Sequence, residues 1–455
     1  MAKSAKKIPE KVLNQAISLI DPWLAYLRYA LEFPSLTVGV VNNRKTVFAR
    51  AYGYADIKKQ RKATTQTCYR IASNSKVFTA ICIMQLVNKK KLALNDPISK
   101  HLPWFKSDKQ RALQKVTIRD LLSHSSGLIR EGYTHQWDND QFATKQEIKR
   151  FVKKGLLSKS RKGRFKYSNL GFAVLGLLIE QVSGQSYANF TRKTIINPLG
   201  FQFTDAQLTK NIREHLATGY GRLIPGRPRE VFKHVETNGM EAATGFSSNI
   251  VELCRFVIAE NIGGKGLLPD EIKQKMFNAK VSINEQDDYG LGYSIRHSGS
   301  KKLVGHGGGF PGHTTQTLFD PKEKIGLVLL INTTAAPVKW IAEETFKVFD
   351  YYIKHQKEFA KVDLSLSRYE GLYRARWGDM QVVAAGKKLL AFDPRLSPFA
   401  DFSELISIGK HKFMIQSKDG FDSIGEVAEF IMKGQSSAMG VNWGSHPYKK
   451  IRLSK

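Results

Sequence analysis

The stretch "RIASNSKVFTAICIMQLV", residues 70–87, carries Ser73 and, three positions on, Lys76, ahead of a long apolar run. The run predicts a helix reaching about Asn88. Ser73 then sits at its mouth, with Lys76 one turn along the same face. A hydroxyl at a helix start lies near unsatisfied backbone N–H groups and the positive dipole end, which favours developing negative charge. A lysine beside it, desolvated by Val77, Phe78 and their neighbours, acquires a lowered pKa and can serve as a base. The spacing alone is common, since Ser4/Lys7 and Ser298/Lys301 repeat it. Placement at the first turn of an apolar helix sets Ser73 apart.

A serine nucleophile also needs a proton shuttle and an oxyanion site. "FKYSNLGF" offers Tyr167 and Asn169 at a loop-to-helix junction. Tyr167 is placed either to be phenolate-like or to donate a proton to a leaving group. "YAN" at 187–189 has the same spacing but falls within a predicted helix. "VGHGGGFPGH", residues 304–313, puts His306 and three glycines at a strand end. Glycines there permit close backbone approach and an N–H directed at an oxyanion. "HSG" at 297–299 repeats the His-x-Gly spacing.

Other chemistries lack their marks. No serine has glycine at both −2 and +2, which excludes the nucleophile elbow of α/β-hydrolases despite the "HGG" run. There is no HExxH and no Cys/His cluster with ligand spacing, so neither a metal nor a cofactor is expected. Cys68, Cys82 and Cys254 show no pairing pattern, which fits a reducing compartment. No apolar run is long enough to span a membrane. The start "MAKSAKKIPEKVLNQAISLI" lacks an apolar signal region, so a cytoplasmic protein is expected.

The formal charge of the 455 residues is +31. Aromatic-interleaved basic patches and a helix-turn-helix pattern are absent, so no nucleic-acid partner is expected. Residues 145–166 hold ten Lys/Arg and one Glu and run directly into Tyr167. This segment reads as a solvated face or as an electropositive rim for anionic substrates, with Lys159, Arg161, Lys162 and Arg164 at its centre.

Along the chain, residues 8–32 predict a helix ending before Pro34, and "LTVGVVNN" with "TVFARAYGYAD" predicts a hairpin. "VTIRDLLSHSSGL" predicts a helix closing on Gly127. Helices follow from 169 to 184 and near 187–197, 248–261 and 269–277. Strands return from 289 to 332, and a helix spans 338–355. One antiparallel sheet built from both ends of this region, with flanking helices and a helical insert, is the economical α+β arrangement. After about residue 360, short alternating segments predict a small all-β barrel. The expected domains are therefore 1–355 and 356–455.

Together the motifs carry a resemblance. "LTVGVVNNRKTVFARAYGYAD", "RIASNSKVFTA", "LNDPISKHLP", "VTIRDLLSHSSGL", "FKYSNLGFAVLGLLIEQVSGQSY", "INPLGFQFT", "YGLGYS" and "GHGGGFPG" resemble, in order, segments of the serine β-lactamase and penicillin-binding-protein-like superfamily. The branch holding class C β-lactamases, D-aminopeptidases and related esterases is the most similar. The resemblance implies a β-lactamase-like fold with Ser73 as acylated nucleophile, Lys76 as its partner and Tyr167 as proton relay. It implies that Asn169 contacts substrate or Lys76, and that His306-Gly307-Gly308 is the His-x-Gly variant of a motif that often begins with lysine. Backbone N–H groups of Ser73 and Gly309 would form the oxyanion hole, with Gly308 beside them. Either Lys76 or Tyr167 would be the base. The substrate would be a small peptide, amide or ester, with β-lactamase or D-alanyl-D-alanine carboxypeptidase activity as the alternative. "SRYEGLYRARWGDMQVV" resembles the opening of the lipocalin-like barrels appended to some members, which shape the site mouth or mediate a homo-oligomer. From a different class, a catalytically retired scaffold using its basic surface would keep the fold without acylation.

Overall fold

The computed structural model describes residues 8–158, 163–263, 266–298, 301–417, 423–434 and 436–453. By contacts the chain divides into two units, residues 34–338 and residues 1–33 together with 339–455.

The first unit is built on a nine-stranded sheet among the described residues. The hairpin Ser35–Asn42 and Lys45–Asp56 comes from the start of the unit. Five principal strands come from its end: Asp287–Tyr289, Ser294–Ser298, Lys301–Phe310, His313–Asp320 and Ile325–Ile331. The two sets join where Ser35–Asn42 pairs antiparallel with Ile325–Ile331, Val38 opposite Leu329. Both of these strands are buried almost throughout, which explains their near-continuous Val/Leu/Ile character. The helix Ile250–Glu260 packs on them, close enough that a Cβ on Gly39 would lie 2.3 Å from Cys254 Sγ, and one on Gly326 2.6 Å from Val257 Cγ1.

Between the strand sets lies the helical part. The helix Ser75–Asn88 buries nearly every side chain, charged Lys76 included. Phe78 on it stacks at 4.3 Å on Phe246 and 4.0 Å on Phe256. A helix apolar on all sides is a core helix. The second apolar helix, Asn169–Ser183, is capped by the Ser168 hydroxyl on Gly171 N–H and ends on Gly184 at φ 69°. One expectation fails locally. The helix predicted to close on Gly127 spans only Ile118–Leu122, and the chain turns left-handed at His124 (φ 57°). A Thr117–Asp120 capping box fixes its start, but nothing extends it past Ser123.

The second unit contains a closed barrel of eight antiparallel strands, from Gly371–Arg374 to His446–Ile451, sealed by Leu372 opposite Ile451. Tyr373, Val382, Leu389, Leu405, Ile415, Phe430 and Val441 fill it. The helix Glu10–Ala30 belongs with this unit. Its Trp23 indole N–H donates to Leu396 O at 3.0 Å, and its Tyr26 hydroxyl to Asp379 Oδ2 at 3.0 Å. The expected boundary near 355 followed the change from helical to strand texture. By contacts the N-terminal helix and residues 339–354 group with the barrel, Tyr351 of the latter stacking at 4.3 Å on Phe399.

Candidate active site

Ser73 lies in the single turn Ala72–Asn74 that leads into the helix Ser75–Asn88. The turn is strained, since Ala72, which is not glycine, holds φ at 49°. Such a residue costs about 1–3 kcal/mol and persists only where its surroundings over-determine it. Here they do. Ser75 Oγ donates to Ala72 O at 2.5 Å and accepts from Phe246 N–H at 3.0 Å. Asn74 ties the turn to the sheet: its Nδ2 donates to Thr315 Oγ1 at 2.9 Å, and its Oδ1 accepts from Thr317 Oγ1 at 2.7 Å.

Two predicted residues converge on Ser73, and a third joins them through Lys76. Ser73 Oγ is 3.2 Å from Lys76 Nζ and 2.8 Å from the Tyr167 hydroxyl. Lys76 Nζ also donates to Asn169 Oδ1 at 2.7 Å and to Ala243 O at 2.8 Å. Among the described residues no carboxylate pairs with the amine. Lys76 is 0% exposed, and this desolvation holds its pKa well below 10.5. A neutral amine has two hydrogens and one lone pair. The hydrogens meet the Asn169 and Ala243 oxygens, leaving the lone pair for the Ser73 proton. Burial likewise pushes the Tyr167 phenol up, so it stays protonated. A standing phenolate is not what this environment holds.

His306 is buried on the strand Lys301–Phe310. Its Nδ1 is 2.6 Å from the Gly307 carbonyl and its Nε2 is 2.8 Å from the Tyr289 hydroxyl. The first contact requires N–H on Nδ1, and because burial keeps the ring neutral, Nε2 then accepts from tyrosine. Burial pushes its pKa down to about 3. Gly308 packs inward, where a Cβ would fall 2.2 Å from Ile71 O. It lets the strand seat on the nucleophile turn. Gly309 is exposed, and a Cβ there would meet nothing within 4 Å. The neighbouring strand Ser294–Ser298 pairs only as far as Gly305. Residues 306–310 therefore form an open edge on that side.

Asn169 is 3% exposed, and its carboxamide is committed to Lys76 and to Glu131, whose Oε1 accepts from Nδ2 at 2.5 Å. Sequence reasoning missed Glu131, Tyr289, Asn74 and His124. His124 accepts from Ser168 N–H at 3.1 Å and lies 4.2 Å from the Tyr167 ring and 4.6 Å from Tyr289, centroid to centroid. None of the four has a periodicity or spacing of its own that would have marked it. Of the basic segment, Lys159, Arg161 and Lys162 lie outside the described residues, and Arg164 is exposed. Groups of three or more His, Cys, Asp or Glu that could hold a metal are absent among the described residues. No helix of the described residues is long and apolar enough to cross a membrane.

A sheet built from both ends of a unit, enclosing a helical part whose first buried helix presents serine and lysine to a tyrosine, defines the serine β-lactamase-like class. The model of the family described as Beta-lactamase matches residues 23–347, and the chain belongs to that family, among the β-lactamase and penicillin-binding-protein-like serine hydrolases. Protein flp of Staphylococcus aureus (strain N315) is 26% identical over 360 residues, 79% of this chain and 71% of that protein. Penicillin-binding protein 4* of Bacillus subtilis (strain 168) is 29% identical over 316 residues, 65% of this chain and 67% of that protein. The octameric penicillin-binding protein homologue from Pyrococcus abyssi superposes with a TM-score of 0.65 at 23% identity. The match covers 95% of this chain and 100% of that one, and it shares the fold.

Proposed function

We propose that the protein hydrolyses small amide or ester acyl donors through an acyl-enzyme on Ser73, with peptidase (D-aminopeptidase-like) or esterase-like activity. The observation that carries this is the fully buried Lys76 amine, unpaired by any carboxylate of the described residues and 3.2 Å from Ser73 Oγ. Lys76 takes the Ser73 proton as Oγ bonds to the acyl carbon. Backbone N–H groups of Ser73 and Gly309 receive the oxyanion. The bond to the leaving group breaks as Tyr167 gives it a proton, and Tyr167 is reprotonated from Lys76. Water then attacks the ester by the reverse relay.

Neutral His306 supports peptidase or esterase chemistry, because it supplies no fixed cation for a substrate carboxylate. Likeness to penicillin-binding protein 4* favours a second reading, β-lactamase or D-alanyl-D-alanine carboxypeptidase activity. No cofactor enters either scheme. The octameric homologue supports a homo-oligomer of this chain, which light scattering on the full-length protein decides.

A fluorophosphonate probe followed by intact-mass spectrometry tests the reading. One adduct is expected, mapped to Ser73 and lost in Ser73→Ala. A folded wild type that takes up none at any pH sinks it and leaves the retired scaffold. The labelling rate is expected to rise with pH as Lys76 deprotonates. It should then stay level past about 10, the ordinary tyrosine value, because Tyr167 is held protonated.

A further inference from the structure

We propose that Glu131 is the positioning residue of this site: its carboxylate fixes which way the Asn169 carboxamide faces, and so keeps an acceptor rather than a donor against Lys76. The inference rests on the acyl-enzyme reading, and it concerns a group that touches neither Ser73 nor substrate.

A carboxamide has two nearly isosteric ends of opposite polarity. With Oδ1 on Lys76 Nζ at 2.7 Å, Asn169 leaves the amine lone pair for Ser73. Flipped, it would offer Nδ2 hydrogens to the same nitrogen, and the lone pair would be drawn to them instead. Glu131 forbids the flip. Its Oε1 accepts from Asn169 Nδ2 at 2.5 Å, and an ionised carboxylate is acceptor-only. Its other oxygen accepts from Gln136 Nε2 at 2.6 Å, and the Gln136 carbonyl end accepts from Thr134 Oγ1 at 3.2 Å. Gln136 is buried, so Glu131 is itself clamped. Arg130 Nε lies 3.5 Å from Glu131 Oε1 and balances its charge from the open side.

The charges around Lys76 come from several elements. Arg130 and Glu131 lie in the loop between the helices Ile118–Leu122 and Gln136–Asn139. Tyr167 precedes the helix Asn169–Ser183, His306 faces from the sheet, and His124 sits behind Tyr167. The Ala243 carbonyl closes the far side. Tyr167, His306 and His124 are all held neutral by burial, the first protonated and the imidazoles unprotonated. Among the described residues Glu131 is thus the anion that acts on the amine, opposed by Arg130. It raises the Lys76 pKa against the lowering by burial, so its removal must shift Lys76 titration to lower pH.

Glu131→Gln and Glu131→Ala separate the two effects. In Glu131→Gln the introduced carboxamide can still accept from Asn169, with Gln136 flipped to match, but it carries no charge. The expected result is a Lys76 titration, followed by 13Cε-lysine NMR and assigned with Lys76→Met, that moves to lower pH in both variants. Ser73 labelling falls by about tenfold to a hundredfold in Glu131→Ala and by much less in Glu131→Gln, the isosteric variant rescuing orientation. A merely structural residue would lower the melting temperature without moving the Lys76 titration. An unmoved titration in Glu131→Gln, which is the variant expected to fold, overturns the proposal, as does equal labelling by wild type and Glu131→Ala. If the wild type is not labelled at all, the acyl-enzyme reading fails, and the NMR titration still decides whether Glu131 acts on Lys76.

Discussion

Replacing Lys76 by methionine should slow acylation of Ser73 by about a hundredfold to ten-thousandfold, the range of a lost general base. Methionine keeps the length and apolar stem of lysine. What disappears is the lone pair 3.2 Å from Ser73 Oγ. Tyr167 cannot substitute, because burial keeps it protonated and its proton is needed by the leaving group. Stability supplies a second, independent readout. Lys76 titrates lower in the folded chain than the 10.5 of free lysine. Between its lowered value and 10.5 the unfolded chain binds a proton that the folded chain does not. Wild-type stability therefore rises with pH across that window, is complete above the unfolded value and is lost as pH falls through the folded one. Lys76→Met lacks this dependence. Denaturant melts of the two proteins across alkaline pH should diverge in that sense. Parallel curves would mean that Lys76 is charged at rest, and the base would have to be sought elsewhere.

The second large effect is expected from one methyl group. Gly308→Ala places a Cβ 2.2 Å from Ile71 O and 2.5 Å from Thr315 Oγ1. Neither atom belongs to the end of a flexible chain. The strand or the turn must retreat, and the turn carries Ser73. Forcing volume into a packed contact costs about 1–3 kcal/mol. The larger loss is in rate, since a displacement of about 1 Å at a reacting atom can cost a hundredfold. Gly309→Ala is the control, because its Cβ meets nothing within 4 Å. It should leave the melting temperature unchanged while altering turnover, as Gly309 is one of the two proposed oxyanion donors. Calorimetry and labelling rates on the pair check both statements. Equal melting temperatures for the two variants would refute the packing argument.

The residues proposed to do covalent and proton chemistry stand out in the sequence because they come as short patterns at element boundaries. Ser73, Lys76 and Tyr167 meet within hydrogen-bond distance, and Asn169 joins them through Lys76. The sheet from both ends of the first unit was legible too, since most of its strands are runs of β-branched and aromatic residues with turn residues between them. What stayed hidden depends on long-range partners. Glu131 looks like any loop acid until Asn169 is seen beside it. Gly308 reads as part of an oxyanion edge, and only the approach of Ile71 shows it as a packing glycine. The terminal helices have ordinary amphipathic patterns, which do not record that Trp23 and Tyr26 bond to barrel residues. His306 was expected to replace a cation, but its neutrality follows from burial, which no local pattern records.

The stitching of Asn74 to Thr315 and Thr317 has a consequence for how the protein is made. Ser73 is synthesised early, yet the strand that holds its turn in a strained conformation comes late, Thr315 following Asn74 by 241 residues. Asn332, whose Oδ1 accepts from Ser35 N–H at 2.7 Å, is needed to close the sheet on its first strand. Until the ribosome has delivered these strands, the growing chain has Ser73 in sequence but not the turn that presents it. Contacts so distant along the chain also form slowly. The turn that holds Ser73 therefore lacks the partners of Asn74 until residues 315–317 are in place.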